Sequence, residues 1–404
     1  VKTWNPAPVP TLPGHAERPR IFDDSRLEKV QLPAGGDRAS LYSCGITPYD
    51  ATHIGHAFTY LVADTLQRVW RDAGLEVVTA MNSTDVDDPL LERAKRDGVD
   101  WRELAASQHE LFRDDMSALR ILPPDSWVAV TDHIQPAAEA VAKLLETGAA
   151  YRLDGDVYFD SRASDELGAL SQTDRETMLA LSAERGGDPD RAGKRDPLDP
   201  KLWHGPVDGE PSWSTVLGEG RPGWHIECTV IARDTLGLPF TATLGGIDLK
   251  FPHQEFQAQH AHALGQPFSD ARLCAGAVAY EGAKMSKSLG NLVKVSELLS
   301  DGVDPAAIRL ALLGHAWHED WEWTDAELVD AQERLARWRE WARLAPSNEG
   351  YTDGDTVMDW LRVTLGDDLN TPAAIQAVDH AVASFRADSL AVDAIDALLG
   401  IDLR

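Results

Sequence analysis

The sequence predicts an α/β protein: a Rossmann-like parallel-sheet domain interrupted by an insertion and followed by a C-terminal helical bundle. Three observations carry this. An apolar strand, a glycine-containing turn, a helix and a second strand follow one another between residues 38 and 81. The same alternation returns between 224 and 280, after a long polar stretch. Beyond Lys294 the apolar spacing is helical throughout.

Taken in order, residues 1 to about 20 carry Pro6, Pro8, Pro10 and Pro13 and read as an extended surface arm, which with the following polar segment fills 1–37. Arg38 to Cys44 is a buried strand ending at Gly45. A helix from about His56 to Ala73 places Leu61, Leu66, Val69 and Trp70 at helical spacing and stops at Gly74. Glu76 to Met81 is the next strand, completing a βαβ unit. Helices are expected near 101–119 and 133–147, and Asp154-Gly155 centres a hairpin. Ser161 to Pro200 is polar and loop-like, inside an insertion spanning about 100–222. A helix near 224–236, a strand near 240–247, a helix near 253–264 and a strand near 272–280 complete a catalytic domain over 38–295. Helices at 304–313, 325–344, 356–366 and 372–399 form the bundle of a C-terminal region, 296–404.

Composition excludes several classes. Thirty-eight Lys and Arg stand against 66 Asp and Glu, a formal charge of −28 that repels phosphate at long range and disfavours a general nucleic-acid binder. Thirteen Trp and 43% hydrophobic residues argue against disorder, and no run of 18 apolar residues exists to span a membrane. Three cysteines, Cys44, Cys228 and Cys274, are too few for a disulfide framework. The opening residues lack a basic-then-apolar pattern, so a cytoplasmic location is expected.

Two short words carry chemistry. His53-Ile54-Gly55-His56 sits where the first strand turns into the first helix, and two imidazoles at a helix N-terminus suit a triphosphate. Lys284-Met285-Ser286-Lys287-Ser288, followed by Leu289-Gly290-Asn291, places two cations on a glycine-bounded loop. There they can neutralise charge on a leaving pyrophosphate. Cys44, Cys228 and His253 lie near strand ends that converge on one crevice of a doubly wound sheet. Two thiolates and an imidazole are good zinc ligands, yet no C-x-x-C spacing is present, and most free cysteines are small buried hydrophobes. From spacing alone both readings stand.

The two words together resemble the HIGH and KMSKS signatures of class I aminoacyl-tRNA synthetases, which activate a carboxylate as an acyl-adenylate with ATP. LYSCGITPYDATHIGHAFTYLVADTL, NSTDVDDPLLERA and RPGWHIEC are similar to cysteinyl-tRNA synthetases. That resemblance implies a zinc on Cys44, Cys228 and His253 that holds the substrate thiolate. The synthetases add a glutamate four positions after the histidine, where this chain has Gln257, so a three-residue site with the substrate sulfur as fourth ligand is expected. Glu184-Arg185-Gly186-Gly187-Asp188-Pro189, the opening TWNPAPVPTLPG and the ending IDALLGIDL are similar to mycothiol cysteine ligases, across essentially the whole chain.

This narrower resemblance implies ATP-dependent joining of L-cysteine to the amine of glucosaminyl-inositol, with MgATP as substrate, no tRNA partner and a monomeric chain. It also implies that Cys44, Gly45, Ile46, Thr47, Thr59, Asn82, Ser83, Thr84, Trp224, Gly246, Ile247, Asp248 and Val278 hold the cysteinyl-adenylate. His53, His56, Lys284 and Lys287 would carry the chemistry. Asp248 suits the substrate ammonium, or else is a plain loop cap. Trp224 shapes the thiol pocket or is a core tryptophan. His225, His260 and His262 read as structural or solvated, and Trp317, Trp321 and Trp323 as packing between sheet domain and bundle. The sequence departs from both families at Thr243-Leu244-Gly245-Gly246-Ile247 and at His253-Gln254-Glu255. A tRNA-charging enzyme, a ligase for another amine and a module without chemistry are the rival readings, and the two intact signature words argue against the last.

Overall fold

The computed structural model describes the chain except residues 164–166, 286–289, 346–353 and 385, and all remaining side chains except those of 284, 354 and 355. Residues 1–19 form neither helix nor strand, as a proline-rich arm should. Trp4 fixes the arm: its indole donates to Ile121 O at 2.7 Å, and its ring meets Phe112 and Trp127 edge-on. Next comes a hairpin of β1 (Arg20–Asp23) and β2 (Glu28–Gln31), which the sequence did not signal because both strands are four residues long and largely charged.

The catalytic domain follows. β3 (Arg38–Ile46) leads into α1 (Ile54–Asp72) and back to β4 (Glu76–Ser83), as the βαβ pattern predicts. α2 (Asp88–Asp97) and α3 (Trp101–Ala118) precede β5 (Ser126–Ala129), and α4 (Ile134–Glu146) leads into the expected hairpin of β6 (Ala150–Leu153) and β7 (Asp156–Phe159). Ser161 to Pro200 is not wholly loop: α5 (Arg175–Glu184) forms there, capped by Asp174, whose carboxylate accepts from Thr177 N at 2.9 Å. β8 (Lys201–His204), β9 (Trp213–Thr215) and β10 (Gly218–Pro222) then complete a small antiparallel sheet in the order β6-β7-β8-β10-β9. These three strands are only three to five residues long, too short to show alternation.

α6 (Trp224–Leu236) and β11 (Phe240–Gly246) fall where expected. A 3₁₀ turn (Ile247–Leu249) and a π-type turn (Lys250–Gln254) delay the next helix, α7, to Glu255–Ala263. The strand expected at 272–280 is two strands, β12 (Ser269–Ala275) and β13 (Val278–Tyr280). β13 pairs with β14 (Ala283–Lys284) and, beyond α8 (Val295–Ser300) and α9 (Pro305–Leu312), with β15 (Trp321–Glu322). The helical region contains α10 (Asp325–Ala342), α11 (Gly354–Gly366), α12 (Thr371–Ser384) and α13 (Ser389–Leu399). Its last two replace the single helix read at 372–399, because Asp388 leaves helical geometry and caps α13 through Ala391 N at 2.8 Å.

The main sheet has the order β12-β11-β3-β4-β5, with every pairing parallel. Both faces are covered, so adjacent residues of β3 enter different cores. Leu41 packs with α1 and the C-terminal helices, whereas Tyr42 and Cys44 pack with α4 and α6. Trp317 and Trp323 are buried in the core shared by α1 and the bundle, with Trp321 packed against it.

One charged cluster ties these parts together. Asp64 of α1 is fully buried and accepts from Arg68 Nε at 2.8 Å, from Leu122 N at 2.8 Å and from the Arg309 guanidinium of α9. Arg309 also donates to Leu399 O and Leu119 O, at 2.6 and 2.8 Å. Arg68 reaches the carbonyls of Asp396, Ala397 and Arg120 at 3.0–3.1 Å. Burial would raise the Asp64 carboxyl, but the guanidiniums of Arg309 and Arg68 outweigh it and hold the group below the usual carboxylate range. Such an acid binds fewer protons folded than unfolded, so its contribution is present at neutral pH and is lost as pH falls below about 4. Asp64→Asn is therefore expected to cost about 3–5 kcal/mol at pH 7 in urea unfolding, and less at pH 3. A loss under about 1 kcal/mol at pH 7 would show that the cluster does not hold the domains together.

Candidate active site

The site begins where β3 and β4 end. Gly45 passes so close to β4 that an added Cβ would stand 1.7 Å from Asn82 O, so no side chain fits there. Its N–H donates to Asn82 Oδ1 at 2.7 Å, and Tyr42 OH donates to the same oxygen at 3.1 Å. Asn82 Nδ2 donates to Thr84 Oγ1 at 3.0 Å, which donates onward to Glu227 at 3.4 Å. Burial raises the Glu227 carboxyl well above its ordinary range. Ser83 Oγ lies 2.6 Å from His109 Nε2, and burial lowers that imidazole to about 4. Thr84 N donates to Ile46 O at 2.9 Å, and Thr47 O accepts from Tyr49 N at 2.9 Å. Gly45, Ile46, Asn82 and Thr84 are thus joined by hydrogen bonds into one rim, flanked in the chain by Cys44, Thr47 and Ser83.

His53 caps α1. Its Nδ1 accepts from Gly55 N at 3.1 Å and His56 N at 3.4 Å, which places the ring proton on Nε2. The His53 and His56 rings stack at 3.8 Å. The first-turn amides of Gly55 and His56 are therefore engaged by an imidazole. Thr59, one turn on, donates to Gly55 O at 3.3 Å. A Cβ built on Gly246 would lie 2.5 Å from Asp248 Oδ1 and 3.9 Å from Thr59 Oγ1, so the Asp248 carboxylate, beside Ile247, and the Thr59 hydroxyl flank the same strand end.

The second signature is anchored on both sides. Before it, β14 pairs with β13, Met285 N donates to Val278 O at 3.4 Å, and Val278 Cβ stands 3.8 Å from where a Cβ on Gly55 would be. After it, Ile54 N donates to Val293 O at 2.9 Å and Val295 N to Thr52 O at 3.1 Å. Both ends of the loop therefore touch the start of α1. Lys287 lies outside the described residues, as does the side chain of Lys284.

The soft donors meet under this rim. Cys44 lies near the end of β3, Cys228 on α6 and His253 on the π-type turn, and all three are buried. Cys228 contacts Cys44, Tyr42 and Gln257, and burial first, then Cys44, pushes its thiol well up. Gln257 Nε2 stands 3.1 Å from His253 Nε2 and 3.7 Å from Cys44 Sγ, while Gln257 Oε1 is buried without a partner. The expected site is not ready-made: among the described residues no group of three or more His, Cys, Asp or Glu is arranged to hold a metal ion. The reason is local, since the Gln257 amide stands among the donors. Their chemistry nonetheless fits zinc: Cys44 Sγ and His253 Nε2 flank the Gln257 amide nitrogen, the Cys228 thiol meets both Cys44 and Gln257, and His253 is held by its other nitrogen.

That other contact is a residue the sequence reading left as structural. His225 Nδ1 lies 2.9 Å from His253 Nδ1, and burial lowers His225 to about 3, so the pair is neutral. Burial, with His225 and His260 nearby, lowers His253 well below the usual imidazole range. Trp224 stacks on His253 with ring centroids 4.5 Å apart. The signal for His225 was the i,i+3 spacing in Trp224-His225-Ile226-Glu227-Cys228, which places His225 and Cys228 on one helix face. His260 is buried with both ring nitrogens unpartnered.

Residues 31–333 match the family described as tRNA synthetases class I (C) catalytic domain. The ligase of Xylanimonas cellulosilytica named L-cysteine:1D-myo-inositol 2-amino-2-deoxy-alpha-D-glucopyranoside ligase is 54% identical over 406 residues, covering 100% of each chain. Proteins of the same name from Clavibacter michiganensis and Thermobispora bispora are 53% and 51% identical over 100% of this chain and 99% and 100% of their own. Among solved structures, Mycobacterium tuberculosis methionyl-tRNA synthetase in complex with methionyl-adenylate superposes with a TM-score of 0.60 at 17% identity, covering 90% of this chain and 82% of that one. This likeness shows the shared fold. The chain belongs to the class I (C) tRNA-synthetase catalytic-domain family and, within it, to the L-cysteine:1D-myo-inositol 2-amino-2-deoxy-alpha-D-glucopyranoside ligases.

Proposed function

We propose that this chain joins L-cysteine to the amine of glucosaminyl-inositol in two ATP-dependent half-reactions of mycothiol synthesis. In the first, the cysteine carboxylate attacks the α-phosphorus of MgATP and pyrophosphate leaves. In the second, the acceptor amine attacks the adenylate carbonyl, AMP leaves, and the amine proton passes to a base or to water. The observation that carries the reading is that Cys44, Cys228 and His253 all meet the side-chain amide of Gln257, in a chain 54% identical to such a ligase along its whole length.

Cys44, Cys228 and His253 would hold zinc once Gln257 withdraws, and when bound the metal supplies a soft seat for the substrate sulfur. A hydroxyl competes poorly for that seat, so serine is rejected without a separate editing site. Asp248 accepts from the substrate ammonium, the Gly45–Asn82 rim positions the carboxylate, and His53 and His56 meet the triphosphate. Lys284 and Lys287 neutralise the departing pyrophosphate. An amine is a better nucleophile toward an acyl-adenylate than a ribose hydroxyl, so the second step needs little beyond a pocket. A formal charge of −28 disfavours the long cationic track that tRNA requires.

Three measurements test this. AMP release from ATP and cysteine should rise on adding glucosaminyl-inositol and not on adding bulk tRNA, while cysteinyl-tRNA formed at a useful rate would favour a synthetase instead. Purified protein should contain about one zinc per chain, and Cys228→Ser should lose most of it together with cysteine activation. A fully active metal-free enzyme would refute the zinc assignment. Lys287→Ala should lower cysteine-dependent ATP–pyrophosphate exchange by roughly 10²-fold with little change in cysteine binding. Unimpaired exchange would remove this lysine from the mechanism.

A further inference from the structure

The segment Glu184-Arg185-Gly186-Gly187-Asp188-Pro189 has no part in the chemistry above, yet it lies against the turn that carries Asp248 and His253. Arg185, half-buried at the end of α5, donates through Nη1 to both Asp248 O and Phe251 O. These carbonyls belong to the junction between the 3₁₀ turn and the π-type turn, where Phe251 leaves helical geometry at φ −136° and ψ 136°. Such a junction lacks a continuous ladder of its own, and one cation bonded to two of its carbonyls fixes their separation.

Two further contacts grip the same turn from the insertion. Phe251 and Phe256, on either side of His253, are buried in a small core with Met178 and Leu198. Glu255, fully buried, accepts from Gly168 N at 3.1 Å and Ser171 N at 2.8 Å. The two glycines make the grip possible. Gly186 turns the chain at φ +82°, and a Cβ on Gly187 would stand 2.3 Å from Ser182 Oγ. Asp188 then anchors the far side by accepting from Tyr158 OH at 2.5 Å and Lys194 Nζ at 2.9 Å.

We infer that Arg185 is a positioning residue for cysteine binding: through the carbonyls of Asp248 and Phe251 it sets where the Asp248 carboxylate and the His253 ring stand relative to the ends of β3 and β11. It touches no substrate. The inference rests on the reading of Asp248 as the partner of the substrate ammonium. Both bonds leave one guanidinium nitrogen, whose two hydrogens lie in a fixed plane on a group that stays charged, so the two carbonyls are held at a set spacing.

The test is cysteine-dependent ATP–pyrophosphate exchange with Arg185→Met, Arg185→Lys and Asp248→Asn, alongside thermal melting and zinc content. Arg185→Met should raise KM for cysteine about tenfold, leave kcat and KM for ATP within about twofold, and leave KM for glucosaminyl-inositol in the complete reaction unchanged. Arg185→Lys, which retains one donor group, should recover part of the cysteine KM. An unchanged cysteine KM in Arg185→Met, a shift confined to the acceptor KM, or a fall in kcat that tracks a lowered melting temperature would each overturn the inference. Asp248→Asn separates the two levels. If it too leaves cysteine KM unchanged, the pocket reading fails; if it raises KM while Arg185→Met does not, only the role of Arg185 fails.

Discussion

The carboxylate of Asp64 is the contact on which the arrangement of the site depends. It sits in the middle of α1, whose first turn carries His53 and His56, and binds one guanidinium from its own helix and one from α9. α9 follows the second signature in the chain, and both arginines continue to carbonyls at the end of α13. The two separate stretches of sequence that carry the signature words are thereby referred to one buried point. Burying three charges is expensive, and replacing such a cluster with apolar side chains is often neutral or stabilising in other proteins. Its value here lies in specifying a geometry, since an apolar contact could slide along α1 whereas a carboxylate with three donors cannot.

The thiol–imidazole pocket works on the opposite electrostatic principle. Burial raises the Cys228 thiol and the Glu227 carboxyl and lowers the His225 and His253 imidazoles, in each case disfavouring the charged form. The polar atoms are joined in a chain from Tyr42 and Gly45 through Asn82 and Thr84 to Glu227, and from His225 through His253 to Gln257. Gln257 Oε1 is the atom left without a partner, and an orphaned carbonyl oxygen in a buried pocket marks the place where this network is open to change.

The parallel sheet was legible in the sequence because its strands bury both faces and its connecting helices are long enough for periodicity to show. α1 and α6 fall within two residues of their expected bounds for that reason. The motif residues Cys44, Gly45, Asn82 and Gly246 lie at the ends of β3, β4 and β11, as the strand pattern implied. What escaped was the insertion. β8, β9 and β10 are too short for a pattern, and α5 has almost no amphipathic face because its partners are Phe251 and Phe256, distant in sequence. His225 and Gln257 were visible as residues, but their roles depend on a 2.9 Å contact and a 3.1 Å contact that no spacing rule encodes.

The same division bears on how substrate choice is built. A methionyl-tRNA synthetase shares the fold at 17% identity, so the fold cannot by itself select an amino acid. The parts able to select it are the side chains at the strand ends and whatever holds their turn in place. In this chain the turn from Ile247 to Gln254 leaves regular helical geometry and is supported from outside by α5, Arg185 and Glu255. An irregular turn braced by an insertion can be re-aimed by changes in the insertion alone, with the sheet, the Asp64 cluster and the signature helices left intact. On this view the insertion belongs to the amino-acid pocket as its outer wall. Its polar, loop-rich sequence then follows from having to meet backbone carbonyls and amides rather than to build a large core of its own.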